Sequence, residues 1–285
     1  MLAESLAARF PPLLVAAERV AATVAQGVHG RRRVGTGDSF WQFRPYGEGD
    51  AGARIDWRQS AKSDRTFVRD MEWEAAQTVC LWRDGSPSMA WHSARALPEK
   101  RARAELLLLA LASLLVRAGE QVRLLGVPGR VFAGRIALSL LEQALPLVAG
   151  GVPEDGPVPR HASAVLIGDF LGPLEEVQAC LRRLSERQVR AQLVQVLDPA
   201  ELALPYDGRV RFRGLEGEAD AVVPRVESVR DAYADALAHQ QAGLRAMCGA
   251  AGAGFVVHRT DAPAEDALLA LWLALSATRA KGAHA

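Results

Sequence analysis

Val79-Cys80-Leu81-Trp82-Arg83-Asp84-Gly85-Ser86-Pro87-Ser88-Met89 is the stretch on which the fold turns. A short apolar run stops at an aspartate, and glycine, proline and serine then supply the turn. Residues 164–169, 191–198 and 254–261 repeat the pattern, each an apolar run ending at an aspartate and each followed by a helical stretch. A further run, residues 121–127, ends at Pro128-Gly129 and leads through Val131 and Phe132 into a helix near residues 137–148. Strands alternating with helices of this length predict an α/β fold: a Rossmann-like, mostly parallel sheet with helices on both faces. Residues 209–223 alternate around a turn at residues 215–217, which predicts a hairpin near one edge of that sheet. Helices near residues 227–248 and 264–280 follow.

Upstream the composition differs. Residues 3–26 carry Leu6, Phe10, Leu13, Leu14, Ala17 and Val20 at helical spacing, interrupted by Pro11-Pro12, so a kinked or two-part helix is expected. Residues 27–74 are rich in arginine, glycine and aromatic residues and hold three of the six tryptophans, which reads as loops and short strands. The division expected is therefore an amino-terminal region, residues 1–75, and an α/β domain, residues 76–285.

Bulk properties exclude several classes of function. The 34 basic and 33 acidic side chains leave a formal charge of +1, so no global field draws the chain to nucleic acid or membrane. The long apolar run, residues 106–116, is too short for a hydrocarbon core that needs roughly 20 residues, and reads as a buried helix. The amino terminus shows no export signal, and Cys80, Cys180 and Cys248 stand apart in apolar contexts, which suits buried thiols in a reducing compartment. A cytoplasmic protein without membrane insertion is the expectation.

In open parallel sheets ligands bind beyond the carboxyl ends of the strands, where the terminal aspartates lie. Asp198 opens Asp-Pro-Ala-Glu, a capping-box pattern with proline at the first helical position, and is expected to cap a helix; Asp261 is expected to do the same. Asp84 is different. It begins Asp-x-Ser-x-Ser, three oxygen-bearing side chains at alternate positions of a tight loop, which can converge with Asp169 on one hard divalent cation.

These residues resemble the von Willebrand factor A fold. Its metal-ion-dependent adhesion site uses Asp-x-Ser-x-Ser on one loop, a threonine on a second and an aspartate on a third. Asp84, Ser86, Ser88 and Asp169 match the first and third loops, and the resemblance implies magnesium or manganese. The second loop departs: no threonine precedes the helix, and Arg135 stands near its place. A guanidinium cannot ligate a metal and could neutralise the carboxylates in its stead. Both outcomes are left open by the sequence.

Gly37-Asp38-Ser39-Phe40-Trp41-Gln42-Phe43-Arg44-Pro45-Tyr46-Gly47-Glu48-Gly49-Asp50, then Arg54-Ile55-Asp56-Trp57, resembles the bacterial family called domain of unknown function 58. In that family Arg-x-Tyr-x-x-Gly-Asp, Ile-Asp-Trp and Asp-x-Ser-x-Ser-Met occur in this order. Arg44, Tyr46, Gly49, Asp50, Arg54, Asp56 and Trp57 carry the match. They are expected to pin the segment by charge-assisted hydrogen bonds, with Trp41, Phe43 and Trp57 as apolar anchors, or to form a partner-binding surface. The resemblance implies a non-enzymatic interaction or adaptor module beside a MoxR-type AAA ATPase. The alternatives are a metal-dependent hydrolase acting through Asp84 and Ser86, and nucleic-acid binding through the loop Arg31-Arg32-Arg33. No nucleophile elbow, phosphate-cradling loop or recognisable serine–histidine spacing supports an enzyme.

Overall fold

Ser163–Gly168 is buried at every position, which is the burial of a strand covered on both faces. A computed structural model of the chain describes residues 12–29, 40–47, 55–62, 65–71, 77–134, 136–148, 150–153, 156 and 158–282. In chain order the elements are α1 (Pro12–His29), β1 (Phe40–Pro45), α2 (Trp57–Ser60), β2 (Phe67–Met71), β3 (Thr78–Arg83), α3 (Lys100–Arg117), β4 (Gln121–Leu124), β5 (Val131–Phe132), α4 (Ala137–Ala144), β6 (Ser163–Gly168), α5 (Leu174–Glu186), β7 (Arg190–Leu197), α6 (Pro199–Ala203), β8 (Val210–Phe212), β9 (Ala221–Val223), α7 (Arg230–Ala250), β10 (Gly254–Arg259) and α8 (Ala264–Gly282).

Among the described residues one sheet runs β10-β7-β6-β3-β4-β5. Its pairs are parallel except β4 with β5, where the short strand Val131–Phe132 turns back. From β3 the chain crosses to β4 on one side and later returns to β6 on the other. The strand order therefore reverses between β3 and β6, and in open parallel sheets the carboxyl side of such a switch point is where ligands bind. Leu107 to Leu111 of α3 are all buried, so the apolar run is a core helix, as its length requires. Among the described residues no helix is long and apolar enough to cross a membrane. All three cysteines are buried within the core.

The chain divides into two compact units, His29–Ala76 and the remainder. The expected boundary at residues 75–76 is close, but the amino-terminal helix belongs with the α/β unit. Leu14, Ala17, Val20, Ala21 and Val24 of α1 are buried in the same core as the sheet, and Ser113 of α3 donates to Glu18 at 2.8 Å. A stripe of that spacing needs an apolar surface, and the helix layer supplies one. The part of the expected kinked helix before Pro12 lies outside the described residues.

Two further expectations are corrected. β8 and β9 do form a hairpin, but they pair with each other as a separate sheet and extend no edge of the main one. At three residues each and largely exposed, they are closed by the ion pair of Arg211 with Asp220 at 2.6 Å. Asp198 caps α6 with both halves of the capping box formed. Asp261 caps nothing: α8 starts three residues later, and its carboxylate pairs with Arg259.

His258, near the end of β10, is 3% exposed, and its Nε2 has no hydrogen-bond partner among the described residues. Burial, reinforced by Arg103, lowers its pKa to about 4, against the smaller opposing pull of Asp266 and Asp261. The unfolded chain then takes up a proton near pH 6.5 that the folded chain refuses until about pH 4. Stability from this group is present above pH 6.5 and lost as pH falls through that window, by about 3 kcal/mol in all. Urea midpoints measured between pH 7 and 4 should fall accordingly, and His258→Gln should flatten that slope; an unchanged slope would assign the acid sensitivity to other groups.

Candidate functional site at the carboxyl edge of the sheet

The last rung between β3 and β6 is the amide of Asp84 donating to the carbonyl of Ile167 at 2.8 Å. Beyond it the two chains part, and the loop after β3 turns through Gly85 and Ser86 into a single 3-10 turn, Pro87–Met89. The turn is held by its own aspartate. Asp84 Oδ1 accepts from the amide of Ser86 at 2.7 Å and from the amide of Gly151 at 3.2 Å. The hydroxyls of Ser86 and Ser88 lie 3.0 Å apart, and Ser88 Oγ donates to Asp169 Oδ2 at 2.7 Å. The four residues singled out by the Asp-x-Ser-x-Ser pattern and by the end of β6 thus meet in one hydrogen-bonded chain. Asp84, Ser86 and Asp169 are each buried.

Two glycines make the approach close enough. A Cβ on Gly150 would stand 2.6 Å from the backbone nitrogen and Cα of Ser86, and one on Gly168 would stand 3.0 Å from Cβ of Asp84. Gly151, whose own amide bonds the carboxylate, has a φ of +85°, a backbone conformation that favours glycine.

Lys100, the first residue of α3, enters this cluster at 1% exposure. Its Nζ lies 2.9 Å from Asp169 Oδ2 and 2.5 Å from Glu201 Oε1. Burial alone would lower its pKa, but Asp169 and Glu201 outweigh that and hold it above the ordinary lysine value. Glu201 is the same residue that completes the capping box: its other oxygen accepts the amide of Asp198 at 2.8 Å. Burial pushes Glu201 up and Lys100 draws it back; burial likewise raises Asp84, against the pull of the Ser86 amide. Arginines hold the loop from outside. Arg101 donates to the carbonyl of Ser86 at 3.0 Å. Arg83, buried behind the motif, donates to the carbonyl of Leu145 at 2.8 Å and lies 3.1 Å from Glu105.

A divalent cation would compete here with donors the chain itself supplies: Asp169 Oδ2 is shared between Ser88 and the Lys100 ammonium, and Asp84 Oδ1 is taken by two amides. Among the described residues no group of three or more histidine, cysteine, aspartate or glutamate side chains is placed to hold a metal. Arg135, the cation suggested by the sequence, lies outside the described residues.

One contact comes from far along the chain. At the tip of the β8–β9 hairpin, Glu216 Oε1 accepts the amide of Ser88 at 3.3 Å. Close packing of Gly214 on the carbonyl of Glu218 and the positive φ of Gly217 shape that tip.

In the other unit, Asp56 caps α2 by accepting the amide of Gln59 at 2.9 Å, and its own amide donates to Phe67 in β2. Ser60 Oγ donates to the carbonyl of Asp56 and accepts the amide of Phe67, each at 2.8 Å. Asp56 is therefore a structural cap. Trp57 is no anchor: it is 70% exposed, because a one-turn helix pinned through its backbone does not require the indole to be buried. Tyr46 is also exposed. Arg44 lies in β1, and Gly49, Asp50 and Arg54 lie outside the described residues, as do Arg31, Arg32 and Arg33.

Residues 42–134 and 154–243 match the family described as "Protein of unknown function DUF58". The uncharacterized protein Rv1480 of Mycobacterium tuberculosis is 26% identical over 245 residues, covering 80% of this chain and 76% of the relative. The uncharacterized protein Mb1516 of Mycobacterium bovis gives the same figures. Among solved structures, the conserved hypothetical protein BatB from Bacteroides thetaiotaomicron aligns over 72% of this chain and 99% of its own, at 14% identity and a TM-score of 0.43. An aerotolerance-related membrane protein from Bacteroides fragilis aligns over 68% and 96%, at 17% identity and a TM-score of 0.39.

Replacing Gly150 by alanine forces a methyl into the backbone of Ser86 and should cost about 1–3 kcal/mol, measured as a shift of the urea midpoint. Gly156→Ala, which meets nothing within 4 Å, serves as the control and should leave the midpoint nearly unchanged. Equal effects in the two variants would mean that the bare Cα of Gly150 is not what holds the loop.

Proposed function

The chain belongs to the DUF58 family, a family of unknown function, and on that footing we propose that it is a non-enzymatic protein-interaction module that docks its partner on the loops beyond β3 and β6. One observation carries this reading. The Ser88 amide at the mouth of the site already holds an acidic side chain, Glu216, from a distant part of the chain. A surface that accepts one carboxylate through an amide, with serine hydroxyls beside it, is suited to an acidic residue of a partner.

The partner we propose, following the family resemblance, is a MoxR-type AAA ATPase, with the chain acting as its adaptor in the cytoplasm. A hydrolase is the weaker reading. The hydroxyls of Ser86 and Ser88 bond to each other, Ser88 bonds to Asp169, and no imidazole is among their hydrogen-bond partners in the described residues. A serine without a base to take its proton is a poor nucleophile.

The test is titration calorimetry of the purified chain against the MoxR-type ATPase of the same organism, beside turnover assays with p-nitrophenyl phosphate and acetate. A complex should form that Ser88→Arg weakens about tenfold or more, with circular dichroism showing that the variant is folded. Turnover should stay at background. Ester hydrolysis abolished by Asp84→Ala or Ser86→Ala would replace this reading with the enzyme.

A further inference from the structure

We infer that Lys100 is the resident cation of this site, its ammonium bound to the carboxylate that an adhesion-type loop would turn toward a divalent ion, so that the docking surface works without metal. The inference deepens the reading just given, and its readouts do not depend on whether a partner binds.

Three features support it. The first is position. The ammonium bonds directly to Asp169 Oδ2, the atom that also accepts Ser88 Oγ, so it is one link from the serine pair. A metal ligated by Asp169 and Ser88 would be forced against it and repelled. The second is how firmly the lysine is held. It is 1% exposed, its backbone amide donates to the carbonyl of Trp91 at 3.2 Å, and Glu201 also pairs with it, which completes a carboxylate–ammonium–carboxylate bridge. Nothing about helix electrostatics favours this place, since a cation at the amino end of an 18-residue helix opposes the macrodipole. The two carboxylates are what keep it there.

The third feature is the residue type. Among the 34 basic residues only Lys62, Lys100 and Lys281 are lysines. Arginine offers a planar fork that pairs side-on with one carboxylate, whereas an ammonium is a compact point charge with rotatable donors, able to serve Asp169 and Glu201 from one atom. A chain that uses arginine almost everywhere has lysine at this buried position.

The experiment is manganese titration, followed by calorimetry and by the paramagnetic signal of free ion, on the full chain and on Lys100→Met, with melting temperatures taken with and without chelator. Wild type should show no saturable site, and chelator should leave its melting temperature unchanged. Lys100→Met leaves Asp169 and Glu201 without their cation. It should melt lower, bind manganese at least about tenfold more tightly than wild type, recover part of its melting temperature when manganese is added, and lose both gains when Asp169→Asn is combined with it. Because the variant can fail to fold, wild type is also labelled with nitrogen-15 lysine, where the Lys100 ammonium should exchange its protons far more slowly than that of exposed Lys62. Saturable manganese binding by wild type that Asp169→Asn removes overturns the inference. So does a Lys100 ammonium that exchanges as fast as Lys62, or a folded Lys100→Met that binds no manganese.

Discussion

Burial of Asp84 and Asp169 where β3 and β6 end is the constraint around which the rest of the α/β unit is arranged. Parallel pairing across the switch point brings the two strand ends side by side, and each ends in a carboxylate that is no more than 5% exposed. Taking an ionised carboxylate out of water costs several kcal/mol unless donors and counter-charge are supplied. Each of the surrounding features supplies some of that. Gly151 and Ser86 bring amides to Asp84, and Ser88 and Lys100 bring a hydroxyl and an ammonium to Asp169.

The same demand ties together parts of the chain that are distant in sequence. Lys100 begins α3, which carries the buried apolar run of the core, so the cation at the rim and the packing of the interior share one helix. Glu201 belongs to the capping box of α6, so the start of that helix and the charge balance of the site are set together. Tyr233 of α7 then donates to the carbonyl of Glu201 at 2.6 Å, and Arg230 donates to the carbonyls of Leu204 and Tyr206, which anchors the base of the hairpin whose tip returns to Ser88. Loss of one partner from a buried ion pair typically costs about 3–5 kcal/mol. Here the effect would reach both the helix starts and the loop.

The alternation of apolar runs with helices was sufficient to read the sheet from the sequence, because parallel strands buried on both faces leave a signal that few other elements imitate. Asp-x-Ser-x-Ser located the loop for a local reason: its geometry is made by neighbouring residues. Asp198 was legible in the same way, since a capping box is local. Lys100 was not, because what makes it part of the site is contact with Asp169 and Glu201, 69 and 101 residues away. Its rarity in an arginine-rich chain was the available signal. Gly150 resisted reading for a similar reason, as its need for a bare Cα comes from Ser86, which no spacing rule connects to it. Trp57 misled because an aromatic residue in a loop-rich segment suggests an anchor, whereas here the backbone bonds of Asp56 and Ser60 do the anchoring.

A cation built into the chain changes what such a rim can respond to. With a bound metal, the strength of docking follows the concentration of the ion. With an ammonium fixed beside two carboxylates, the counter-charge belongs to the chain and does not follow the concentration of any ion, and the groups left to meet a partner are the Ser88 amide and the residues around it. The Ser88 amide is itself engaged by Glu216, held on a hairpin that pairs with no strand of the main sheet and is closed by an exposed ion pair. An exposed hydrogen bond of this kind is worth little compared with the buried bridge behind it. The site is therefore rigid where its charge is balanced and weakly held where a partner would arrive, a division of labour that follows from burying Lys100 and leaving Glu216 in water.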